Sequence, residues 1–283
     1  MAETQSPACL AIHPRDIAFG RASSPSPPRW WLGGDPIATA FFNALSASFP
    51  QGERFFMDAV RLYRGRVDQR LGEQIQAFIA QEAVHSREHL VFNNKMAAQG
   101  FDFGRIDSYL KKRFDFGRTL PPLNRLCATI ALEHFTAILA HAILADGDDL
   151  AGAPPELKRM WQWHAIEEIE HKAVAFDTFL AAARHFSPFR RWQLRCVSMA
   201  LTTIMFLQFV GFGVREFLRH DGIDNLRSWR ALFRYLWIGP GIMRRVAPSY
   251  FVYYKPGFHP WRVDDRALIA DVEATLTPGH AVV

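Results

Sequence analysis

The stretch Trp163-His-Ala-Ile-Glu-Glu-Ile-Glu-His171 places a Glu three residues before a His, and Glu82-Ala-Val-His85 repeats that spacing. Residues three apart on an α-helix lie about 60° apart around the axis, so the Glu and the His of each pair can face one direction. His164 is four residues before Glu168, about 40° to the other side, and joins the same face. The two stretches therefore predict two helices that present carboxylate and imidazole groups to a common interior.

The apolar spacing around these stretches predicts five helices and no paired strands. The predicted helices span about residues 36–64, 67–98, 122–146, 155–186 and 188–220. Phe49-Pro-Gln-Gly52 should interrupt or kink the first, because proline lacks the N–H that a helix interior requires. Residues 101–120 are expected to form a mixed loop, and Phe251-Val-Tyr-Tyr254 resembles a strand without a partner. The chain is therefore expected to be all-α.

Two further glutamates occupy matching positions in the other predicted helices. Glu53 lies near the middle of the first helix and Glu133 near the middle of the third. Midpoints of neighbouring helices lie at one level in an antiparallel bundle, so these glutamates should share a layer with the two Glu-x-x-His pairs. Together with His164, the predicted metal ligands are Glu53, Glu82, His85, Glu133, His164, Glu168 and His171.

The donor types in this layer favour two divalent metal ions. The four glutamates carry a charge of −4, which two such ions would balance, whereas burying these carboxylates without a cation would be very unfavourable. Mixed carboxylate and imidazole donors suit iron or manganese, and the absence of thiolates argues against structural zinc. We expect iron, with manganese or zinc as alternatives. A single Glu-x-x-His pair is common by chance, so the prediction depends on the combined pattern.

Nearby polar residues are candidates for supporting roles. His89 is four residues after His85 and could be a ligand or the partner of one. Asp177 could orient a ligating imidazole, as outer carboxylates do at metal sites. Glu167 and Glu170 flank the ligand glutamate of their helix and should face either solvent or partners of the ligands.

Composition restricts the class of protein. The 283 residues are 49% hydrophobic and 22% charged, which is typical of a globular chain with a sizeable core. Lys and Arg (33) nearly balance Asp and Glu (28), and a net charge of +5 is too small to indicate nucleic-acid binding. Three widely spaced cysteines show neither disulfide nor metal spacing and fit a reducing cytosol. With no apolar run near the N-terminus to form a signal peptide, we expect a cytoplasmic protein.

The chain after residue 187 differs in composition from the part that carries the predicted ligands. We expect an irregular segment (1–35), a helical bundle (36–187) and an apolar, basic and aromatic-rich extension that packs on the bundle or on a membrane (188–283). Residues 196–214 contain no charge and approach the length that spans a bilayer. They could form a buried helix or dimer face, lie in the plane of a membrane with the later basic segment, or span it. Any membrane association is expected through residues 196–245.

The order of the predicted ligands resembles that of ferritin-like di-iron carboxylate proteins. The run His164-x-x-x-Glu168-x-x-His171 is similar to that of the di-iron arylamine N-oxygenases. Over roughly residues 35–265 the chain resembles a bacterial family of ferritin-like proteins described as predicted metal-dependent hydrolases. The segments that carry this resemblance are Phe49-Pro-Gln-Gly-Glu53, Glu82-Ala-Val-His85, Leu132-Glu-His-Phe-Thr136, Trp163-His-Ala-Ile-Glu-Glu-Ile-Glu-His171 and Tyr254-Lys-Pro-Gly-Phe-His-Pro-Trp261.

The resemblance implies a ferritin-like four-helix bundle with a long crossover between its second and third helices, plus an additional apolar C-terminal helix. It also implies that Glu82 and Glu168 bridge the two metals. The remaining ligands would divide into Glu53 and His85 on one metal and Glu133, His164 and His171 on the other.

These expectations favour an enzyme. Two irons would react with dioxygen and oxidise a small or apolar organic substrate, with electrons from a donor, while the bundle supplies ligands and a dry pocket. The alternative is a two-metal hydrolase that activates water. A second alternative is a non-catalytic iron-binding or membrane-associated helical protein. The expected partners are a small-molecule or lipid-like substrate, with a membrane surface and a second copy of the chain as further candidates, and no nucleic acid.

Overall fold

A computed structural model describes residues 6–7, 12–19, 26–146 and 148–276 of the chain. Those parts of the predicted N-terminal segment and C-terminal extension that fall on residues 1–5, 8–11, 20–25 and 277–283 lie outside the described residues, as does residue 147. The α-helices are α1 (Pro36–Arg61), α2 (Gln69–Ala98), α3 (Gly104–Thr119), α4 (Pro122–Asp146), α5 (Pro155–His171), α6 (Val174–Ala182), α7 (Pro188–His220), α8 (Leu226–Trp237), α9 (Ile242–Val252) and α10 (Arg266–Leu276). Within the described ranges there is no strand, which confirms the all-α prediction.

Local sequence signals start the long helices. Asp35 caps α1 by accepting hydrogen bonds from the backbone N–H groups of Ile37 and Ala38, and Asp68 caps α2 in the same way. Ser187 accepts a hydrogen bond from the N–H of Arg190 at the start of α7. Proline stands in the first turn of α1, α5 and α7, where a missing N–H has no consequence.

The long helices pack into a bundle around one apolar core. α1 packs along α2 on one side and along α7 on another, while α4 packs against α5, α6 and α7. α2 also contacts α5 and α6, so α1, α2, α4 and the α5–α6 pair surround a common interior. Large aromatic side chains such as Trp31, Phe42 and Trp163 fill this interior and are almost fully buried. The bundle therefore brings together the four predicted ligand-bearing segments.

The first helix does not break at Pro50. α1 runs without interruption from Pro36 to Arg61, so of the two predicted outcomes, an interruption or a kink, the interruption does not occur. Proline removes the hydrogen bond to the carbonyl four residues earlier, which here belongs to Ser46. The side-chain amide of Asn93 on α2 donates a hydrogen bond to that carbonyl at 3.2 Å and replaces the missing donor. The contact between α1 and α2 thus compensates for the missing N–H of Pro50. The sequence around Pro50 shows the missing donor but not its replacement.

The predicted fourth helix consists of two helices. α5 ends at His171, a turn follows at Lys172 and Ala173, and α6 continues to Ala182. Lys172 is buried and donates to Asp265 at 2.5 Å and to the carbonyl of Val263 at 2.8 Å. This partner lies far away in the chain, and no local signal predicted the interruption.

Two other segments differ from prediction. The expected loop after residue 100 contains α3, whose Ile106, Leu110 and Phe114 recur every four residues and are buried, while most of its other side chains are charged or polar and exposed. The sequence analysis missed α3 because only three buried apolar residues mark its inner face and most of its other residues are polar or charged. The strand-like run Phe251–Tyr254 is the end of α9 and the following turn, with Tyr253 buried in the core.

Two helices are long and apolar enough to cross a membrane by length and composition alone. One is Pro122–Ala145, within α4, and 78% of its most apolar stretch is buried. The other is α7, in which 33% of the corresponding stretch is buried. α4 is therefore a core helix. α7 has two faces, because Met199, Phe206 and Val210 are buried while one outward side exposes the apolar stripe Val197, Leu201, Ile204 and Leu207.

The contact between α1 and α7 requires a glycine at position 213. A Cβ atom there would lie 2.9 Å from Cβ and 3.4 Å from Cα of Ala44, whereas a Cβ at Gly211 would meet nothing within 4 Å. We expect Gly213→Ala to destabilise the protein by about 1–2 kcal/mol through overpacking. Gly211→Ala should leave stability unchanged or raise it by up to about 1 kcal/mol, because alanine favours helix. Thermal unfolding of both variants tests this, and equal melting temperatures would contradict it.

Candidate metal centre

The seven predicted ligands converge at one level inside the bundle. Glu53 comes from α1, Glu82 and His85 from α2, Glu133 from α4, and the remaining three from α5. None of the seven residues is more than 4% exposed. The i,i+3 and i,i+4 spacings of α2 and α5 place their Glu and His side chains on the inner face, as the sequence predicted.

The ligand atoms form three overlapping groups, within each of which the atoms lie no more than 4.8 Å apart. The groups are Glu53, His85 and His164; Glu82, His85 and Glu168; and Glu82, Glu133 and His171. His164 therefore lies with Glu53 and His85. This corrects the arrangement implied by the resemblance, which placed His164 beside Glu133 and His171.

Two glutamates face both ends of the cluster. Glu168 places Oε1 at 3.1 Å from His164 Nε2 and 3.5 Å from His85 Nδ1, and its Oε2 lies 3.6 Å from His171 Nε2. Glu82 places Oε1 at 3.2 Å from His171 Nε2 and Oε2 at 3.9 Å from His85 Nδ1. Each of these carboxylates thus offers one oxygen to each end, which is the geometry that a bridge between two cations needs.

Most of the inward-facing oxygen and nitrogen atoms that could bind a metal have no hydrogen-bond partner among the described residues. The buried atoms without one are Oε1 of Glu53, both oxygens of Glu82 and of Glu133, Oε2 of Glu168, Nδ1 of His85, and Nε2 of His164 and His171. A buried polar atom without a partner costs about 1–3 kcal/mol, and more when it is charged. In the described part of the chain, no Lys or Arg forms an ion pair with any of the four carboxylates. Among the described residues, the close partners of Glu82, Glu133 and Glu168 are imidazoles, which bind metals as carboxylates do, so the donor set fits metal cations.

The carboxylates cannot all ionise without a cation. Burial, followed by repulsion from Glu82, raises the pKa of Glu53 well above its ordinary value. Burial also raises the pKa of Glu133, and attraction to His171 does not offset it. Burial alone would raise the pKa of Glu168 too, but the imidazoles around it, His171 first, hold that pKa well below its usual range. Two metal ions would stabilise the ionised form of the whole set.

Each of the three imidazoles has its outer nitrogen held by another buried side chain. His85 Nε2 lies 3.0 Å from a Glu167 oxygen, and His171 Nδ1 lies 2.9 Å from the amide oxygen of Gln81. Because a carboxylate or amide oxygen can only accept, these outer nitrogens carry the protons. The inner nitrogens face the carboxylates of the cluster and would bind a metal in place of a proton, which is how outer partners fix the tautomer of a ligating histidine.

A chain of hydrogen bonds fixes the third imidazole. The amide nitrogen of Asn93 donates to the Ser46 carbonyl, so its oxygen accepts from Ser46 Oγ at 2.8 Å. Ser46 Oγ then accepts from His89 Nδ1 at 2.8 Å, and His89 Nε2 accepts from His164 Nδ1 at 2.9 Å. Burial and the neighbouring imidazoles, His164 first, lower the pKa of His89, which keeps it neutral in this role. His89 is thus the partner of a predicted ligand.

Arg15 joins the partners of two imidazoles. Its guanidinium contacts Glu167 at 3.3 Å and both oxygens of Glu170, at 2.6 and 3.0 Å. Glu170 in turn accepts from the amide of Gln81 at 2.8 Å, so Glu167 and Glu170 face partners of the ligands and not solvent. Residues 12–19 therefore lie across the outside of α2 and α5. Sequence reasoning missed Arg15 and Gln81, because neither lies in a recognisable motif.

Asp177 does not belong to this site. It accepts hydrogen bonds from Ser6 Oγ at 2.6 Å and from His259 Nε2 at 2.9 Å, so it does not orient a predicted ligand. The turn between α5 and α6 separates Asp177 from the ligand-bearing helix. His259 is held in the same way and caps the short helical turn at Pro260–Arg262.

Comparison with known proteins agrees with the chemistry of the donor set. A family model described as "Predicted metal-dependent hydrolase" matches residues 13–264, which include Arg15 and all seven converging residues. No curated protein and no solved structure matches the chain. Because the match extends over most of the sequence, the chain belongs to the family of predicted metal-dependent hydrolases.

Proposed function

We propose that this protein is an enzyme that depends on a pair of metal ions held inside the helical bundle. The observation that carries the proposal is the convergence of nine buried N and O atoms, from seven side chains, that lack any hydrogen-bond partner. The family description supports dependence on a metal. Four glutamates would balance two divalent cations, and the hydrogen bonds of the outer nitrogens leave three imidazoles free to bind them.

The geometry supports a specific division of ligands. Glu82 and Glu168 would bridge the metals, because each offers one oxygen to each end of the cluster. The other ligands would be Glu53, His85 and His164 on one metal and Glu133 and His171 on the other. The order Glu, Glu-x-x-His, Glu, Glu-x-x-His along α1, α2, α4 and α5 supports a ferritin-like bundle.

Hydrolysis is the first candidate reaction, because it is the activity by which the family is described. A bound metal pair would polarise a substrate oxygen and supply an activated water. The residues of this chain would hold the ligands in place and keep His164 and His171 in the tautomers that face the metals. The surroundings of these two imidazoles are apolar, since Phe49 stacks on His164 and Phe78 packs edge-on against His171.

Oxidation of an organic substrate with dioxygen is the second candidate. It is favoured by the donor set, in which carboxylates and three imidazoles without thiolate suit iron. The resemblance of the ligand order to di-iron proteins supports the same reaction. Aromatic rings enclose the site, because Trp163 packs edge-on against His85 at 4.9 Å between ring centroids, which suits a dry pocket for an apolar substrate.

Metal loading and reactivity distinguish the candidates. We expect the purified chain, reconstituted under anaerobic conditions, to bind two metal ions per molecule. Hydrolysis of ester or phosphoester substrates with zinc or manganese, unaffected by oxygen, would establish the first candidate. Oxygen consumption by the reduced iron form, with a change in the optical spectrum, would establish the second. Iron uptake far above two per chain would indicate storage, and absence of stoichiometric metal would refute the proposed centre.

Removing one carboxylate should weaken one metal site more than the other. We expect Glu133→Gln to lower the metal content from about two to about one per chain, because a neutral amide replaces an anionic ligand beside His171. Glu73→Gln is the matched control, since Glu73 also lies on a bundle helix but is exposed and, among the described residues, accepts a hydrogen bond from Gln69 alone. Metal analysis after gel filtration measures the difference. Full occupancy in Glu133→Gln would remove Glu133 from the ligand set.

Arg15 should tune metal affinity without contacting the metal. We expect Arg15→Met to lower affinity about tenfold, because it leaves Glu167 and Glu170 without their cation and loosens the partners of His85 and His171. Arg87→Met is the matched control. Arg87 binds Asp16 and the carbonyl of Ile17, so it holds the same N-terminal segment without contacting those carboxylates.

Competition with a chromogenic chelator measures this affinity independently of any activity. A similar loss in both arginine variants would mean that Arg15 acts only by holding residues 12–19 in place. Unchanged affinity in Arg15→Met would show that the outer carboxylates do not influence the centre.

A further inference from the structure

α8 is attached to the bundle by one narrow face. Ser228 and Leu232 are buried, and the ring of Tyr235 packs edge-on against Phe41 of α1, with 6.5 Å between centroids. On the outward side, Leu226 is 66% and Phe233 60% exposed. Large apolar side chains thus point away from the core over the length of the helix.

The outward side of α8 is itself divided into two stripes. At about 100° per residue, Leu226, Phe233 and Trp237 fall within about 40° of one another around the helix axis. The basic residues lie beside them, within about 60° of one another by the same geometry, and are Arg227, Arg230 and Arg234. This apolar stripe with a flanking row of arginines is typical of helices that lie in the plane of a membrane surface.

The sequence of α8 and of the segment that follows it is basic and contains no acidic residue as far as residue 263. Residues 225–263 contain no Asp or Glu, but they contain six Arg and one Lys. In the described part of the chain, Arg227, Arg230 and Arg234 form no ion pair. Their positive charge is therefore available to an anionic partner.

We propose that α8 docks this protein on an anionic lipid bilayer. Leu226, Phe233 and Trp237 enter the boundary between headgroups and acyl chains, and the three arginines contact lipid phosphates. Trp237 suits that depth, because its ring is apolar and its indole N–H still reaches polar groups. The bundle remains outside the membrane and presents α8 as a surface helix. This docking does not depend on the identity of the metals or on the reaction.

A second copy of the chain fits this face less well. Most dimers are formed by two copies of one patch related by a twofold axis. Such a contact through α8 would bring Arg227, Arg230 and Arg234 of the two copies close together with no acidic residue of that segment to pair with them, which is unfavourable. A bilayer that contains anionic lipid supplies the missing negative charge.

Vesicle co-sedimentation of the full, metal-loaded chain tests the proposal. We expect sedimentation with vesicles that contain phosphatidylglycerol, little with phosphatidylcholine alone, and a loss at high salt. The double variants Phe233→Ser with Trp237→Ser, and Arg230→Glu with Arg234→Glu, should each lower the partition coefficient about tenfold or more. The control double variant is Leu201→Ser with Ile204→Ser, on the exposed, uncharged stripe of α7, and it should bind like the wild type.

Circular dichroism and metal content establish that each variant is folded. Failure of the wild type to bind phosphatidylglycerol vesicles, equal binding to both vesicle types, or normal binding by the α8 variants would overturn the proposal. Loss of binding in the α7 variant alone would move the contact to α7. A native dimer that dissociates when Phe233 and Trp237 are replaced would assign the face to a second copy of the chain instead.

Discussion

The structure depends on the placement of four carboxylates at one point in an otherwise apolar bundle. Glu53, Glu82, Glu133 and Glu168 are buried together, and burial raises the pKa of the first three. Like charges in a medium of low dielectric repel strongly, so a bundle with this interior would be unstable if all four carboxylates ionised without a cation. The inward-facing imidazoles and the missing hydrogen-bond partners have the same explanation. Both are features that a site for metal cations would need.

A chain of hydrogen bonds outside the cluster connects the imidazole of His164 to the backbone of α1. Pro50 deprives the Ser46 carbonyl of its helical donor, and Asn93 supplies a replacement. That bond orients the Asn93 amide, which directs the Ser46 hydroxyl and, through it, the proton of His89. The proton on His89 then leaves His164 with a bare nitrogen toward the centre. A proline inside a helix, which looks like a defect, is thus part of the network that sets the tautomer of a proposed ligand.

The sequence predicted the inner residues because their spacing reports directly on a helix face. Glu82 with His85, and Glu168 with His171, can be assigned to one interior from the period of the helix alone. The outer residues could not be found in this way, since Arg15 lies 152 residues from Glu167 and belongs to a segment without helical period. The side of the cluster on which His164 lies depends on how α5 is rotated against α1, which its own sequence does not show. The helix break after His171 coincides with the contact between Lys172 and Asp265, which lies far away in the chain.

Three buried glutamates of α5 can be compared directly. Glu167 and Glu170 pair with Arg15, and Glu168 does not. Glu167, Glu168 and Glu170 are all buried on the same helix, none more than 4% exposed. Arg15 reaches Glu167 and Glu170 from the outer side, and their negative charge is balanced within the chain. Glu168 points to the other side, where the imidazoles of His85, His164 and His171 lie around it and no Lys or Arg of the described residues pairs with it. Burial is therefore equal in the three residues and does not distinguish them. What distinguishes them is the source of the positive charge. Arg15 supplies it for Glu167 and Glu170, whereas the imidazoles around Glu168, His171 first, stabilise its ionised form, and these imidazoles are themselves groups that bind metals.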